Sequence, residues 1–244
     1  MILVDCVQGD QVWRASRLGI PTASQTDKIL TPKTMKPSAS QRGLLRTCCA
    51  EWLLGCPLES GSTAYMDRGR DMEDEAVRWY EFDRNVTVER VGFLLRDDNM
   101  FGGSPDGLIG DYGGVEIKCL SAVEHVGAML EEIDLTEYRC QVQSYLWLCN
   151  RQWWDRVYYH PDWPTMVIRM ERDDEFIETL AEHVDGFIEK LIEARAKLLS
   201  MGLTPKEPII QTVADLESAR RERDAREAAS LGEQGMAAWE AVLG

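Results

Sequence analysis

The stretch Gly103–Cys119, GSPDGLIGDYGGVEIKC, constrains the fold of this 244-residue chain more than any other. Gly110-Asp111-Tyr112-Gly113-Gly114 is rich enough in turn formers to reverse the chain. Beyond it, Val115, Ile117 and Cys119 alternate with Glu116 and Lys118, the two-residue period of a strand with one face on a core. Phe101–Ile109 is expected as the preceding strand, closing a hairpin. Such a hairpin sets Asp106 beside Glu116 and keeps Lys118 on the face of Glu116. Two carboxylates and one ammonium then converge on a single point.

That trio suits one chemistry. Two hard carboxylate oxygens can hold Mg²⁺ and leave its other positions to water and a substrate phosphate. A metal so placed activates water and polarises a phosphoryl oxygen, while a lysine steers the water or offsets developing charge. A surface hairpin with a solvated Glu–Lys pair would carry the same letters, and short patterns recur by chance. The rest of the chain has to decide.

With 44% hydrophobic residues the chain can bury a sizeable core, in one large domain or two small ones. No run of eighteen apolar residues occurs, which excludes a helical membrane span. The N-terminus has no basic region ahead of an apolar core, so no secretory signal is read there. Seven cysteines without a CxxC pair point to reduced thiols in the cytoplasm, not to disulfides or zinc. The net charge of −15 opposes nucleic-acid binding in general. Residues 1–60, however, hold seven Lys/Arg against five Asp/Glu, a local +2 that leaves −17 to the remainder. A basic surface on an acidic body can still attract DNA.

Taken in order, Arg14–Gly19 reads as a short helix closed by glycine, and Thr22 with Gln25 matches a capping box for a helix to about Leu30. Thr22 and Ser24 read first as caps. Their second reading, joined by Arg17, is a phosphate pocket at a helix N-terminus. Thr31–Ser40 is a basic loop. Helices are expected over Gln41–Leu54 and Ala64–Phe82, the second carrying Glu73, and a strand over Asn85–Leu95. A less defined helix follows at Ala122–Ile133, in which His125 reads as packing or surface. Tyr138–Cys149 is a strong helix with Val142, Tyr145 and Leu146 on one stripe and Gln141 oddly placed on it. Two strands, Asp155–Tyr159 and Met166–Met170, and a long helix, Glu175–Met201, complete the body. Residues 204–244, rich in Ala, Glu and Arg, read as a helical arm or tail beyond a single domain over 1–203.

Read together, Gln8-Gly9-Asp10…Trp13, Arg17-Leu18-Gly19…Thr22-Ala23-Ser24, Gly69…Glu73, Ser104-Pro105-Asp106-Gly107, Glu116-Ile117-Lys118-Cys119 and Gln141-Val142-Gln143 resemble the lambda-exonuclease-like (YqaJ) branch of the PD-(D/E)xK nucleases of phage recombination. The similarity runs from about Gln8 to Ile192. It implies an α/β (α+β) fold, a central mixed β-sheet flanked by helices. Asp106 and Glu116 would hold metal with the carbonyl of Ile117, Glu73 would add an acidic group, Lys118 would position or activate water, and Gln141 would hold lysine and water. Arg17 and Ser24, beside Thr22, would take a 5′-phosphate. The cofactor implied is Mg²⁺, with Mn²⁺ as substitute, at two ions per site. Asp97 lies near a further family carboxylate but aligns only with a skipped residue.

The function implied is a processive 5′-to-3′ exonuclease on double-stranded DNA that leaves 3′ overhangs for a single-strand annealing protein. It would work as a ring-shaped homotrimer in the cytoplasm of a phage-bearing host. A PD-(D/E)xK endonuclease or repair nuclease shares the core residues. A catalytically silent DNA-binding scaffold is the alternative of another class, against which intact Asp106, Glu116 and Lys118 speak.

Overall fold

The computed structural model describes residues 1–58, 64–130, 136 and 138–208, and of residues 64–71 the backbone alone. Met1–Pro208 forms one compact unit, and the arm expected after it lies outside the described residues from Ile209 onward. In chain order the elements are β1 (Ile2–Val4), α1 (Gln11–Ser16), a 3-10 helix (Ala23–Lys28), β2 (Leu30–Thr31), β3 (Lys36–Pro37), α2 (Gln41–Leu54) and α3 (Ala64–Arg84). There follow β4 (Phe93–Leu95), β5 (Gly102–Gly103), β6 (Gly107–Ile109), β7 (Gly113–Cys119), α4 (Ala122–Met129), α5 (Arg139–Cys149), β8 (Trp153–Tyr159), β9 (Met166–Glu171) and α6 (Asp174–Ser200).

The expected hairpin forms as β6–β7, with Gly107 opposite Val115 and Ile109 opposite Gly113. β7 runs parallel to β8, and β8 antiparallel to β9, so the order β6-β7-β8-β9 makes a mixed sheet. A parallel neighbour needs a crossover, which α4 and α5 supply. Gly113 and Gly114 lie opposite Trp153 and Trp154, and a Cβ on either glycine would stand 2.1–2.4 Å from the facing indole ring. The glycines read as turn formers therefore have a second duty: their missing side chains admit two tryptophans against the strand.

Alternation along β7 then assigns its faces. Val115 and Ile117 join Val157 and Tyr159 under Ala76, Val77 and Tyr80 of α3. On the other side a larger core unites Trp154 with Val142, Tyr145 and Leu146 of α5, Leu180, Val184 and Phe187 of α6, and Leu44 and Cys48 of α2. The buried Asp155 fastens three elements, accepting from Tyr80 Oη at 2.7 Å and from Arg169 Nε and Nη2 at 2.8 and 2.9 Å.

The sequence reading needs four corrections. Phe101–Ile109 is not one strand: β5 pairs with β4, β6 with β7, and the chain changes sheets at Ser104-Pro105-Asp106. Proline has no N–H to give a ladder, which favours a break there. The strand over Asn85–Leu95 shrinks to β4, in a separate sheet of order β1-β4-β5, so the hairpin does not continue it. Glu89 touches Leu108 only through an isolated bridge. The basic loop 31–40 contains a small hairpin, β2–β3. The α-helix expected from Thr22 is six residues of 3-10 helix, since Leu30 already belongs to β2 and the Thr26 hydroxyl closes on the Ala23 carbonyl three residues back.

Candidate active site

Asp106 sits one residue before β6, and the register that pairs Gly107 with Val115 carries it alongside Glu116. Its Oδ2 accepts a 2.6 Å hydrogen bond from the Ile117 N–H. That bond locks the carboxylate to the strand, while the Ile117 side chain stays in the α3 core. Glu116 points to the opposite face and is 3% exposed. Its Oε1 accepts from Lys118 Nζ at 2.7 Å and from Gln141 Nε2 at 2.8 Å. Its Oε2 is buried with no hydrogen-bond partner. The odd amide on the α5 stripe thus has its reason: it reaches across to β7.

The electrostatics are those of a crowded acidic site. Burial first, then the charges of Glu116 and Glu73, lift the Asp106 carboxyl well above the usual carboxylate range, against the pull of Lys118 and the Ile117 N–H. Burial disfavours the Lys118 ammonium, but Glu116 and Asp106 outweigh it and raise its pKa. Lys118 therefore stays charged, with Nζ 4.7 Å from the centre of the Tyr138 ring. Tyr138 holds a left-handed backbone, φ +60°, just ahead of α5.

These residues suit a hard divalent cation. Among the described residues no three His, Cys, Asp or Glu side chains gather closely enough to hold an ion by themselves. Two carboxylates meet here, one of them with a buried oxygen that no described residue satisfies. Magnesium is bound in this manner, by one or two carboxylates plus water and substrate oxygens. Glu73 is close enough for its charge to act on Asp106, yet its Oε1 is taken by Arg90 Nη1. Asp97 is far from the trio in role: it is exposed and pairs with the Met1 amino group.

The residues read as phosphate ligands divide. Arg17 caps α1, stacks its guanidinium 4.3 Å above the Trp13 ring, and among the described residues makes no hydrogen bond to a carboxylate. Burial lowers its pKa, opposed by Glu51 and Tyr145. Ser24 is exposed and lines a cleft of about 520 Å³ with Lys33, Tyr138 and Gln141. Thr22 is 3% exposed and serves as the cap, its N–H and hydroxyl both on Gln25 Oε1 at 3.2 and 3.1 Å. Residues without an assigned role in the sequence reading join the two halves. Tyr145 Oη donates to the Ser104 carbonyl at 3.0 Å and accepts from Gln141 Nε2 at 3.1 Å, and Trp13 Nε1 donates to Ser104 Oγ. The signal for Tyr145 was available, since it lies four residues after Gln141 on one helix face. Nothing local marked Ser104 or Arg90 for these contacts.

A consequence for stability follows from Asp106. A carboxyl whose folded pKa exceeds its unfolded value binds its proton more tightly in the native state. The metal-free protein therefore gains stability as pH falls through that folded pKa and loses it as pH rises. Asp106→Asn keeps an oxygen for the Ile117 N–H and removes the charge. It is expected to raise the neutral-pH melting temperature of the metal-free protein by about 2–4 °C, for roughly 1 kcal/mol of relieved repulsion, and to flatten its pH dependence. Thermal denaturation in chelator at several pH values checks this; a lower melting temperature for the variant would contradict it.

Comparison with known proteins gives the family. Residues 12–152 match the model of the YqaJ-like viral recombinase domain. An alkaline exonuclease (LHK-Exo) from Laribacter hongkongensis is 30% identical, over 78% of this chain and 96% of that one, with a TM-score of 0.70. The structure of LHK-Exo in complex with dAMP gives 31% identity, the same coverage and a TM-score of 0.71. A phage-related exonuclease from Haemophilus somnus 129PT, at 15% identity, 73% and 96% coverage and a TM-score of 0.60, shares the fold. No curated protein matches the chain. With more than half its length matched and the acidic hairpin in place, the chain belongs to the YqaJ-like viral recombinase domain family.

Proposed function

We propose that this chain is a divalent-metal-dependent nuclease that digests the 5′-ended strand of duplex DNA processively, leaving a 3′ overhang for a single-strand annealing protein. The observation that carries the reading is Glu116, saturated at Oε1 by Lys118 and Gln141 and left with a buried, unpartnered Oε2 beside Asp106. An orphaned carboxylate oxygen costs free energy unless something satisfies it. Mg²⁺, or Mn²⁺ in its place, would be held by Asp106 and Glu116 with the Ile117 carbonyl, and would supply Lewis-acid polarisation of the phosphate and a more acidic water.

The chain's own groups do the rest. Gln141 and Lys118 hold Glu116 in one orientation. Lys118, kept protonated by its acidic neighbours, places a fixed positive charge where negative charge builds on the phosphoryl group. It would position the attacking water and offset the developing charge. LHK-Exo is an alkaline exonuclease, and its complex with dAMP is consistent with a site for a single deoxynucleotide.

Arg17, with no carboxylate bonded to it, supplies the charge for a terminal phosphate, and Ser24 opens onto the cleft that Gln141 shares. A terminal phosphate also gives polarity, since only a 5′-directed enzyme needs to hold that end. Processivity is assigned to a ring-shaped homotrimer, in which three copies of the basic N-terminal region face one channel and offset the overall −15.

In a nuclease assay, Asp106→Ala and Lys118→Ala are both expected to lose at least about 10³-fold in rate, the scale of a lost charge stabiliser. Calorimetry with Mn²⁺ should separate them, Lys118→Ala keeping the ion and Asp106→Ala losing it. Activity retained in Asp106→Ala would remove the site. For the terminal phosphate, each charge-assisted hydrogen bond contributes about 1.5–3 kcal/mol. Arg17→Ala should therefore digest 5′-phosphorylated duplex about tenfold or more slowly, with its preference over 5′-hydroxyl ends reduced. A wild type without any such preference would favour an endonuclease. Light scattering should return the mass of three 27.7 kDa chains, and a monomer at micromolar concentration would count against the ring.

A further inference from the structure

Arg90 is a charged residue at the site whose type neither the metal reading nor the phosphate reading calls for. It comes from the segment between α3 and β4 and reaches back under the catalytic hairpin. Its Nη1 donates to Glu73 Oε1 and, at 3.1 Å, to the backbone carbonyl of Asp106. Its Nη2 donates to Asp74 Oδ1 at 2.9 Å. One guanidinium therefore joins two helix carboxylates to the main chain of the metal-binding aspartate.

Two-metal nucleases set a second cation about 3.5–4 Å from the first, shared by the same carboxylates. The oxygens suited to such an ion are those on the Glu73 side of Asp106: hard carboxylate and carbonyl oxygens. In this chain a guanidinium holds them. Arginine stays charged at every accessible pH and bonds carboxylates as a planar fork, so it competes there as a permanent cation. Lys118 is bonded to Glu116. The acidic pair is thus joined by two built-in positive charges, Lys118 on Glu116 and Arg90 on the main chain of Asp106.

We propose that Arg90 takes the place of a second metal ion, so that this enzyme works with one divalent cation per site. The inference rests on the proposed metal site at Asp106 and Glu116. It makes Arg90 a positioning residue for the site: it neutralises Glu73 and withholds it from coordination. Glu73 then acts through Arg90 and through its charge on Asp106.

Titration of the full-length, metal-free chain with Mn²⁺, read by electron paramagnetic resonance and calorimetry, tests this. Wild type is expected to bind one ion per chain. Arg90→Met, of similar length and uncharged, is expected to bind two, and Arg90→Met with Glu73→Gln to return to one. The Mn²⁺ dependence of DNA cleavage should change in parallel, from a Hill coefficient of roughly 1 to one approaching 2. Circular dichroism and thermal melting establish that the variants fold. If Arg90→Met does not, the wild-type count still decides. Two ions in wild type, or one in a folded Arg90→Met, overturns the inference. Asp106→Ala separates the premises: loss of the tight ion upholds the metal site, and its retention removes the site and this inference together.

Discussion

The hydrogen bond from the Ile117 N–H to Asp106 Oδ2 is the contact on which the rest of the site depends. It ties the end of one strand's approach to the middle of the next, and it does so with a charged acceptor in a place where charge is unwelcome. Burial and two neighbouring carboxylates disfavour the ionised form of Asp106. Lys118 and the Ile117 N–H offset part of that repulsion, and Arg90 bonds the Asp106 carbonyl. The site is thus strained electrostatically in the chain alone, which is the usual condition of a place built to receive a cation.

What makes this tolerable is rigidity around it. The strand β7 is clamped by indoles on its glycines, by α3 beneath Val115 and Ile117, and by α5 above Glu116. Tyr145 extends the clamp, its ring stacked on Trp154 at 5.2 Å and its hydroxyl joining Gln141 to the Ser104 carbonyl. Burial and the charge of Glu116 keep its phenol protonated, so its proton goes to that carbonyl and it accepts from the amide. Because the carbonyl can only accept, the amide of Gln141 must present its NH₂ to Glu116. A single backbone oxygen thereby sets the direction of three hydrogen bonds. Ser104 also receives the Trp13 indole, and Trp13 carries Arg17, so the acidic hairpin and Arg17 are joined through one half-buried set of contacts.

The overall acidity is compatible with this arrangement because the charges are local. Lys33 lines the cleft that borders Gln141, Arg17 stacks on Trp13, Lys118 bonds Glu116, and Arg90 bonds Glu73 and the Asp106 carbonyl. The long-range field of the body repels DNA, but a Debye length of about 8 Å at physiological salt screens most of it. No helix among the described residues is long and apolar enough to cross a membrane.

The sequence by itself determined the elements whose period is strong or whose punctuation is chemical. Gln41–Leu54 appears with both ends as read, Tyr138–Cys149 and Glu175–Met201 within a residue, and the β6–β7 hairpin turns on its glycines. Side-chain alternation was enough to put Glu116 and Lys118 on one face, because the period of a strand leaves no choice. Tertiary structure decided everything that depends on which strand finds which partner. Pro105 favours a break, but local pattern could not say that the segments on its two sides join different sheets, β5 with β4 and β6 with β7. It could not say that Asn85–Leu95 supplies three residues of strand and an arginine to the acidic site. It read Thr22 as the cap, but could not say that Ser24, two residues on, is exposed and faces the cleft. Period and turn chemistry act over a few residues, whereas the partners of Glu116, Glu73 and Ser104 come from 25, 17 and 41 to 91 positions away.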